Sequence, residues 1–277
     1  MIHEFYHCPC APMIKEYIFW PPNQKLVMTV KEAAIVIDNL TKKFEDVTAV
    51  DGLSLTVEKG ELFGLLGPNG AGKTTTINVL SGLLKPTTGS VSVGGYEVEK
   101  EPDEVKELIG VCPQDTAVFS YLTGRENVEL FGNLHAMPKE KLKKKTDELL
   151  ERMSLVSDAK RRVGKYSGGM RRRINLIMAL VHDPDIAFLD EPTVGMDPQS
   201  RRAVWDFIKE LKKQNKTVIL TTHYMEEAEE LCDRVGIIDY GKLIALGTPE
   251  KLKSKFEAKN LEEVFIQLTG RRIREEL

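Results

Sequence analysis

From Ala33 onward, apolar and polar positions follow a regular pattern. Runs rich in β-branched residues over 34–37, 53–57 and 89–93 predict strands. Leu62-Phe63-Gly64-Leu65-Leu66, entered through a turn at Glu58-Lys59-Gly60-Glu61, is apolar at every position, as a strand buried on both faces must be. Helical spacing predicts helices over 102–109, 124–136 and 138–153, with Pro102 and Pro138 suited to first-turn positions. Beyond Gly168 the pattern predicts a helix to 182, a strand over 186–189, a helix over 198–213 and a strand over 217–221. A helix over 224–232 follows, then a hairpin of 234–239 with 242–246 turning at Gly241, and helices near 249–256 and 261–268. A helical insert thus separates two strand-rich stretches. The alternation implies an α/β fold with a mainly parallel sheet, whose ligand lies at the carboxyl ends of the strands.

Residues 1–27 break the pattern. They carry Pro9, Pro12, Pro21 and Pro22, and the aromatic patch Tyr17-Ile18-Phe19-Trp20. His3 and Glu4 stand where a secretory signal needs a basic start, and Pro12 and Lys15 interrupt any long apolar stretch. The segment reads as an N-terminal extension: a tail, an interface strand, or an upstream start, since Met28 stands just before the regular pattern.

Composition narrows the function classes. A chain of 277 residues has ample length for one or two domains. Its net charge of −3 offers no domain-wide basic surface, so nucleic acid is not an expected partner. No apolar run reaches the ~18 residues of a membrane span, so any membrane role is borrowed from a partner. Four cysteines are too few for a disulfide scaffold. Cys112 and Cys232 lie in apolar stretches and are expected to be buried thiols, whereas Cys8 and Cys10, near His3 and His7, have the wrong spacing for zinc.

The chemistry concentrates in three motifs. Gly67-Pro68-Asn69-Gly70-Ala71-Gly72-Lys73-Thr74 matches the phosphate loop and sits between a buried strand and a helix. Its glycines let successive backbone N–H groups approach a phosphate as an anion nest. Lys73 is expected to reach the β- and γ-phosphates, Thr74 to offer a hydroxyl to Mg²⁺, and Thr75 to touch the α-phosphate. In the second motif, Ile186-Ala187-Phe188-Leu189-Asp190-Glu191, an apolar strand ends in two acids at that same carboxyl edge. Neighbouring strand residues face opposite ways, so Asp190 suits the Mg²⁺ shell and Glu191 the polarisation of attacking water. In the third, Tyr166-Ser167-Gly168-Gly169-Met170 opens a helix with Ser167 as N-cap, a second cradle for a γ-phosphate.

Two cradles for one phosphate suit two chains better than one, and here the sequence resembles the nucleotide-binding subunits of ATP-binding cassette transporters over about 33–250. The resemblance implies a phosphate-loop core with an antiparallel β subdomain and a helical insert at about 115–165, within an ATPase domain of 28–250 and ahead of a helical tail of 251–277. It makes Phe44 the adenine-stacking aromatic, Gln114 a Mg²⁺ and water ligand, Ser167, Gly168, Gly169 and Met170 the signature facing the opposite protomer, Asp197 the dimer loop, and His223 the γ-phosphate switch. Tyr166 and Met170 depart from the leucine and glutamine commoner in that signature. The implied cofactors are ATP and Mg²⁺. The implied partners are a second copy or close paralogue, bound head to tail, and an integral membrane transporter subunit on a separate chain at the cytoplasmic face. Residues 261–270 resemble the tail of export-type cassettes.

Two other functions fit the motifs: a cassette driving a non-transport machine, and a nucleotide-gated module without turnover. Only 93 residues separate Lys73 from Ser167, too few for the long coiled coil of chromosome-type members. Glu191 and His223 argue for turnover. Among lesser features, the lysine-rich run at 139–145 reads as a solvated helix face over Leu142, Leu149 and Met153, and Arg171-Arg172-Arg173 as part salt-bridging and part interfacial.

Overall fold

The computed structural model describes residues 32–270, so the extension at 1–27, with Cys8 and Cys10, lies outside the described residues. β1 (Ala33–Phe44) and β2 (Val47–Glu58) form a long antiparallel hairpin that turns at Glu45-Asp46. Both strands are longer than their apolar cores at 34–37 and 53–57, because residues 43–48 at the hairpin tip are exposed and carry no alternation of buried and exposed positions. β3 (Leu62–Leu66) feeds α1 (Lys73–Leu80). β4 (Thr88–Val93) and β5 (Tyr96–Glu97) return to extend the hairpin sheet, in the order β2-β1-β4-β5.

After α2 (Pro102–Leu108) comes a strand that the apolar pattern does not predict, β6 (Ile109–Cys112). It pairs in parallel with the next core strand, Ile109 opposite Ile186 and Cys112 opposite Leu189. The predicted helix over 102–109 therefore stops one residue short, at Leu108. Four residues with a glycine among them are too short a run to announce a strand.

The helical insert follows: α3 (Gly124–Leu134) and α4 (Lys139–Arg152). Thr123 caps α3 by a full capping box with Glu126. Leu142, Leu149 and Met153 are buried under the lysine-rich face, as expected. The chain re-enters the core through α5 (Gly168–Leu180), β7 (Ile186–Asp190), α6 (Pro198–Lys213), β8 (Thr217–Thr222) and α7 (Met225–Leu231). The hairpin of β9 (Arg234–Asp239) and β10 (Lys242–Gly247), then α8 (Pro249–Lys255) and α9 (Leu261–Thr269), complete the fold.

The six-stranded sheet runs β10-β9-β3-β8-β7-β6, with β10 alone antiparallel to its neighbour. Alternation along its strands divides the core. Leu62, Leu66, Leu189, Leu220 and Ile237 face one cluster with α5 and α6, while Phe63, Leu65, Phe188, Ile219 and Ile238 face another with α1 and the antiparallel sheet. Phe63 and Phe188 are almost fully buried, so truncating either to alanine costs about 3–5 kcal/mol. Leu261, Val264 and Phe265 of α9 join the first cluster. Cys112 and Cys232 are buried free thiols, and burial pushes the Cys112 thiol up to about 12.

Arg171, Arg172 and Arg173 correct an expectation. Each donates to a backbone carbonyl, those of Gly164, Gln114 and Met153, and thereby ties α5 to the insert and to the loop after β6.

Candidate nucleotide site

Four adjacent parallel strands end at one edge, and each delivers one piece of the site. β3 leads into the phosphate loop, β8 into His223, β7 into Asp190-Glu191, and β6 into Gln114. The loop's geometry requires glycine at Gly72, which has φ 102° and where a Cβ would meet the Ala49 carbonyl oxygen at 2.4 Å. At Gly67 a Cβ would meet the Ile238 carbonyl oxygen at 2.3 Å. Thr76 anchors the loop to the helix by donating its hydroxyl to the Gly72 carbonyl (2.9 Å).

Lys73 is buried and folds back across the loop. Its Nζ donates to the carbonyls of Gly67 (2.8 Å) and Pro68 (3.1 Å) and pairs with Glu191 Oε1 at 3.1 Å. Glu191 Oε2 accepts from His223 Nδ1 at 3.0 Å. Burial pushes the Glu191 carboxyl up, but the His223 hydrogen bond and the Lys73 charge together outweigh it and hold its pKa below the usual carboxylate range. Glu191 also has φ 48°, a left-handed conformation that a non-glycine residue adopts only under constraint. The constraint is Thr221, one strand over. Its backbone carbonyl and its hydroxyl both accept from the Glu191 N–H (3.1 and 3.0 Å), and the hydroxyl donates to Asp190 Oδ1.

An open cleft of about 500 Å³ collects most of the residues expected here. Phe44, Asn69, Gly70, Gly72, Lys73, Thr74, Thr75, Gln114 and Glu191 line it, together with Val47, Thr48, Ala49 and Tyr240. Phe44 is 42% exposed at the end of β1, with Lys42 Nζ 5.0 Å from its ring centroid. Thr221 and Tyr240 carry no motif. Register opposite Asp190 would have pointed to Thr221, and an aromatic before the turn glycine to Tyr240.

The signature residues are not part of this cleft. Ser167 caps α5, accepting from the Met170 N–H at 3.3 Å, and is exposed, as is Gly168. A Cβ on Gly169 would lie 3.4 Å from the Ser200 hydroxyl and 4.0 Å from Asp197 Oδ2, so the openings of α5 and α6 are neighbours on the surface. Asp197 caps α6, and the hydrogen bonds from Ser200 hold its carboxyl below the usual range. Met170 packs partly against the core, and its sulfur accepts from Arg161. Tyr166 is buried, its hydroxyl donating to the Asp158 carbonyl at 2.6 Å, so the bulkier residue at the signature's first position is absorbed by packing.

A family model for the ABC transporter matches residues 50–194, just over half of the chain. The chain belongs to the ABC transporter family. Its relatives include the linearmycin resistance ATP-binding protein LnrL of Bacillus subtilis, 46% identical over 232 residues that span 84% of this chain and 73% of that protein. The doxorubicin resistance ATP-binding protein DrrA of Mycobacterium tuberculosis is 47% identical over 226 residues, 81% of this chain and 68% of that one. Among solved structures, an ATP-binding subunit of an ABC transporter superposes with a TM-score of 0.78 at 26% identity, covering 85% of this chain and 99% of its own. A dimeric ATP-binding cassette in a post-hydrolysis state bound to ADP and Pi gives 0.70 at 28% identity, over 77% and 98%. This chain is accordingly an ATP-hydrolysing subunit that powers a transporter, on an α/β cassette fold. Among the described residues no helix is long and apolar enough to cross a membrane.

Proposed function

We propose that two copies of this chain, or one copy and a close relative, close head to tail around two ATP molecules and drive export through a separate membrane subunit at the cytoplasmic face. The observation that carries the shared site is the division of the motifs. Glu191 lies within hydrogen-bonding distance of both Lys73 and His223, whereas Ser167, Gly168 and Asp197 stand on an exposed surface outside that cleft. A phosphate bound at Lys73 therefore has room for donors supplied by a second chain.

In this reading Phe44 stacks on the adenine, and Gly67, Pro68, Asn69, Gly70, Ala71, Gly72, Lys73, Thr74 and Thr75 cradle the phosphates. Glu191 takes the proton of the attacking water, with His223 positioned by its hydrogen bond to that carboxylate. Mg²⁺ fits the oxygen donors of Thr74, Gln114 and Asp190. Among the described residues no group of three or more His, Cys, Asp and Glu side chains is placed to hold a metal ion, as suits an ion held largely by substrate phosphates and one carboxylate. When bound, the ion would neutralise charge developing on the phosphate oxygens.

The export direction rests on the resistance proteins among the relatives. Expression of the chain with its membrane subunit in cells loaded with an amphiphilic drug tests it. Efflux that is lost in Glu191→Gln supports export, and ATP-dependent accumulation of the drug would refute it.

A further inference from the structure

The turn between β9 and β10 carries an aromatic residue where turn chemistry does not favour one. Asp239 pairs with Lys242, and the two residues between them, Tyr240 and Gly241, have φ 48° and 77°, the two-residue hairpin turn with both central residues left-handed. Asparagine, aspartate or glycine suits the first of these positions; a tyrosine there is strained. Tyr240 is also 74% exposed, so core packing does not account for it.

The turn is fixed relative to the phosphate loop. The Gly241 N–H donates to the Ala71 carbonyl (3.1 Å), and the Gly241 carbonyl accepts from the Asp51 N–H (2.9 Å). Lys242 pairs with Asp51 at 3.2 Å, and a Cβ at position 241 would press on the Ala49 carbonyl at 2.9 Å. Tyr240 is thereby held at the rim of the cleft that Phe44 borders from the tip of the β1–β2 hairpin. Two half-exposed or exposed aromatic rings, on separate elements pinned to one phosphate cradle, suit a flat aromatic ligand portion next to a phosphate chain.

Resting on the reading of this cleft as the ATP site, we propose that Tyr240 is a second base-contacting residue, packing its ring against the nucleotide base from the side opposite Phe44. Its strained backbone is then a feature of the binding site.

Titration of the full chain with Mg-ATP and, separately, with magnesium tripolyphosphate tests this by calorimetry. Tyr240→Asn places a residue suited to the turn, so the fold is kept and its melting temperature does not drop. ATP affinity should fall about tenfold, as expected on losing one base–aromatic contact, while tripolyphosphate affinity stays within about twofold. Tyr240→Phe should bind ATP like the natural chain, because the ring makes the contact. Unchanged ATP affinity in Tyr240→Asn, an equal loss for tripolyphosphate, or an equal loss in Tyr240→Phe would each overturn the proposal. Lys73→Ala separates the two readings: if it keeps full affinity for both ligands, the site assignment itself fails.

Discussion

Lys73 and Glu191 form a buried ion pair, Nζ to Oε1 at 3.1 Å, with side chains only 5% and 3% exposed. The pair joins the group expected to bind phosphate to the group expected to activate water. In the proposed reading a γ-phosphate arriving at the loop would compete with Glu191 for the ammonium, and so leave the carboxylate to His223 and to water.

The two residues should therefore fail differently. Lys73→Ala removes a charge-assisted contact to phosphate and should weaken ATP binding by about tenfold or more. Glu191→Gln keeps the shape but not the base, so binding should persist while turnover falls about a hundredfold or more. Nucleotide titration beside phosphate release reads both. Substantial hydrolysis by Glu191→Gln would remove Glu191 from the catalytic role.

Thr221 is the positioning residue beneath them, bonded through one hydroxyl to Asp190 and to the Glu191 N–H. Thr221→Val fills the same space without that hydroxyl. It should cost about 1–2 kcal/mol of stability and lower turnover, with Thr221→Ser restoring both. Full activity in the valine variant would show that Glu191 holds its left-handed conformation without this contact.

Two buried carboxyls should pull the pH dependence of stability in opposite directions. The Glu191 pKa lies below its ordinary value of 4.5, so its contribution is present above that value and is lost as pH falls through the folded pKa. Burial raises the Glu227 carboxyl above 4.5, against hydrogen bonds from Thr222, Thr193 and Trp205. Its contribution is therefore full below 4.5 and is lost as pH rises toward the folded pKa. Glu227→Gln keeps an acceptor for Thr193 and Trp205 (2.7 and 2.8 Å) without the titration. Its melting temperature relative to the natural chain should rise between pH 4 and pH 8, by about 2–4 °C for each kcal/mol involved. A difference that stays flat or falls would contradict the raised pKa.

The motifs were legible in the sequence because phosphate chemistry dictates residue types at neighbouring positions. Gly72 must be glycine against the Ala49 carbonyl, Lys73 opens the helix after the first apolar strand, and Asp190 and Glu191 stand at the end of another that its apolar run marks out. What stayed hidden depends on register and long-range contact. β6 is four residues long and is defined by its pairing with β7. Thr221 matters because it lies opposite Asp190, Tyr240 because a turn docks on the phosphate loop, and Arg172 because the Gln114 carbonyl comes within its reach.

The helical insert offers a testable surface for the membrane subunit. Phe119 and Tyr121, just beyond Gln114, are 51% and 87% exposed. We expect this exposed pair, beside Gln114, to meet the membrane subunit. Phe119→Asp should leave the hydrolysis rate of the isolated chain within about twofold and break co-purification with the membrane subunit from detergent extracts. Normal co-purification would place the docking surface elsewhere.

The central claim is that each ATP is bound by one chain and closed over by another. The most direct test is the mass in solution, by light scattering, of Glu191→Gln with Mg-ATP. A dimer is expected with ATP and a monomer with ADP. Adding Ser167→Arg should return the ATP-bound protein to a monomer that still binds nucleotide with the affinity of Glu191→Gln alone, since Ser167 acts on the opposite site. A persistent dimer in the double variant, or loss of ATP binding by its monomer, would contradict the shared site.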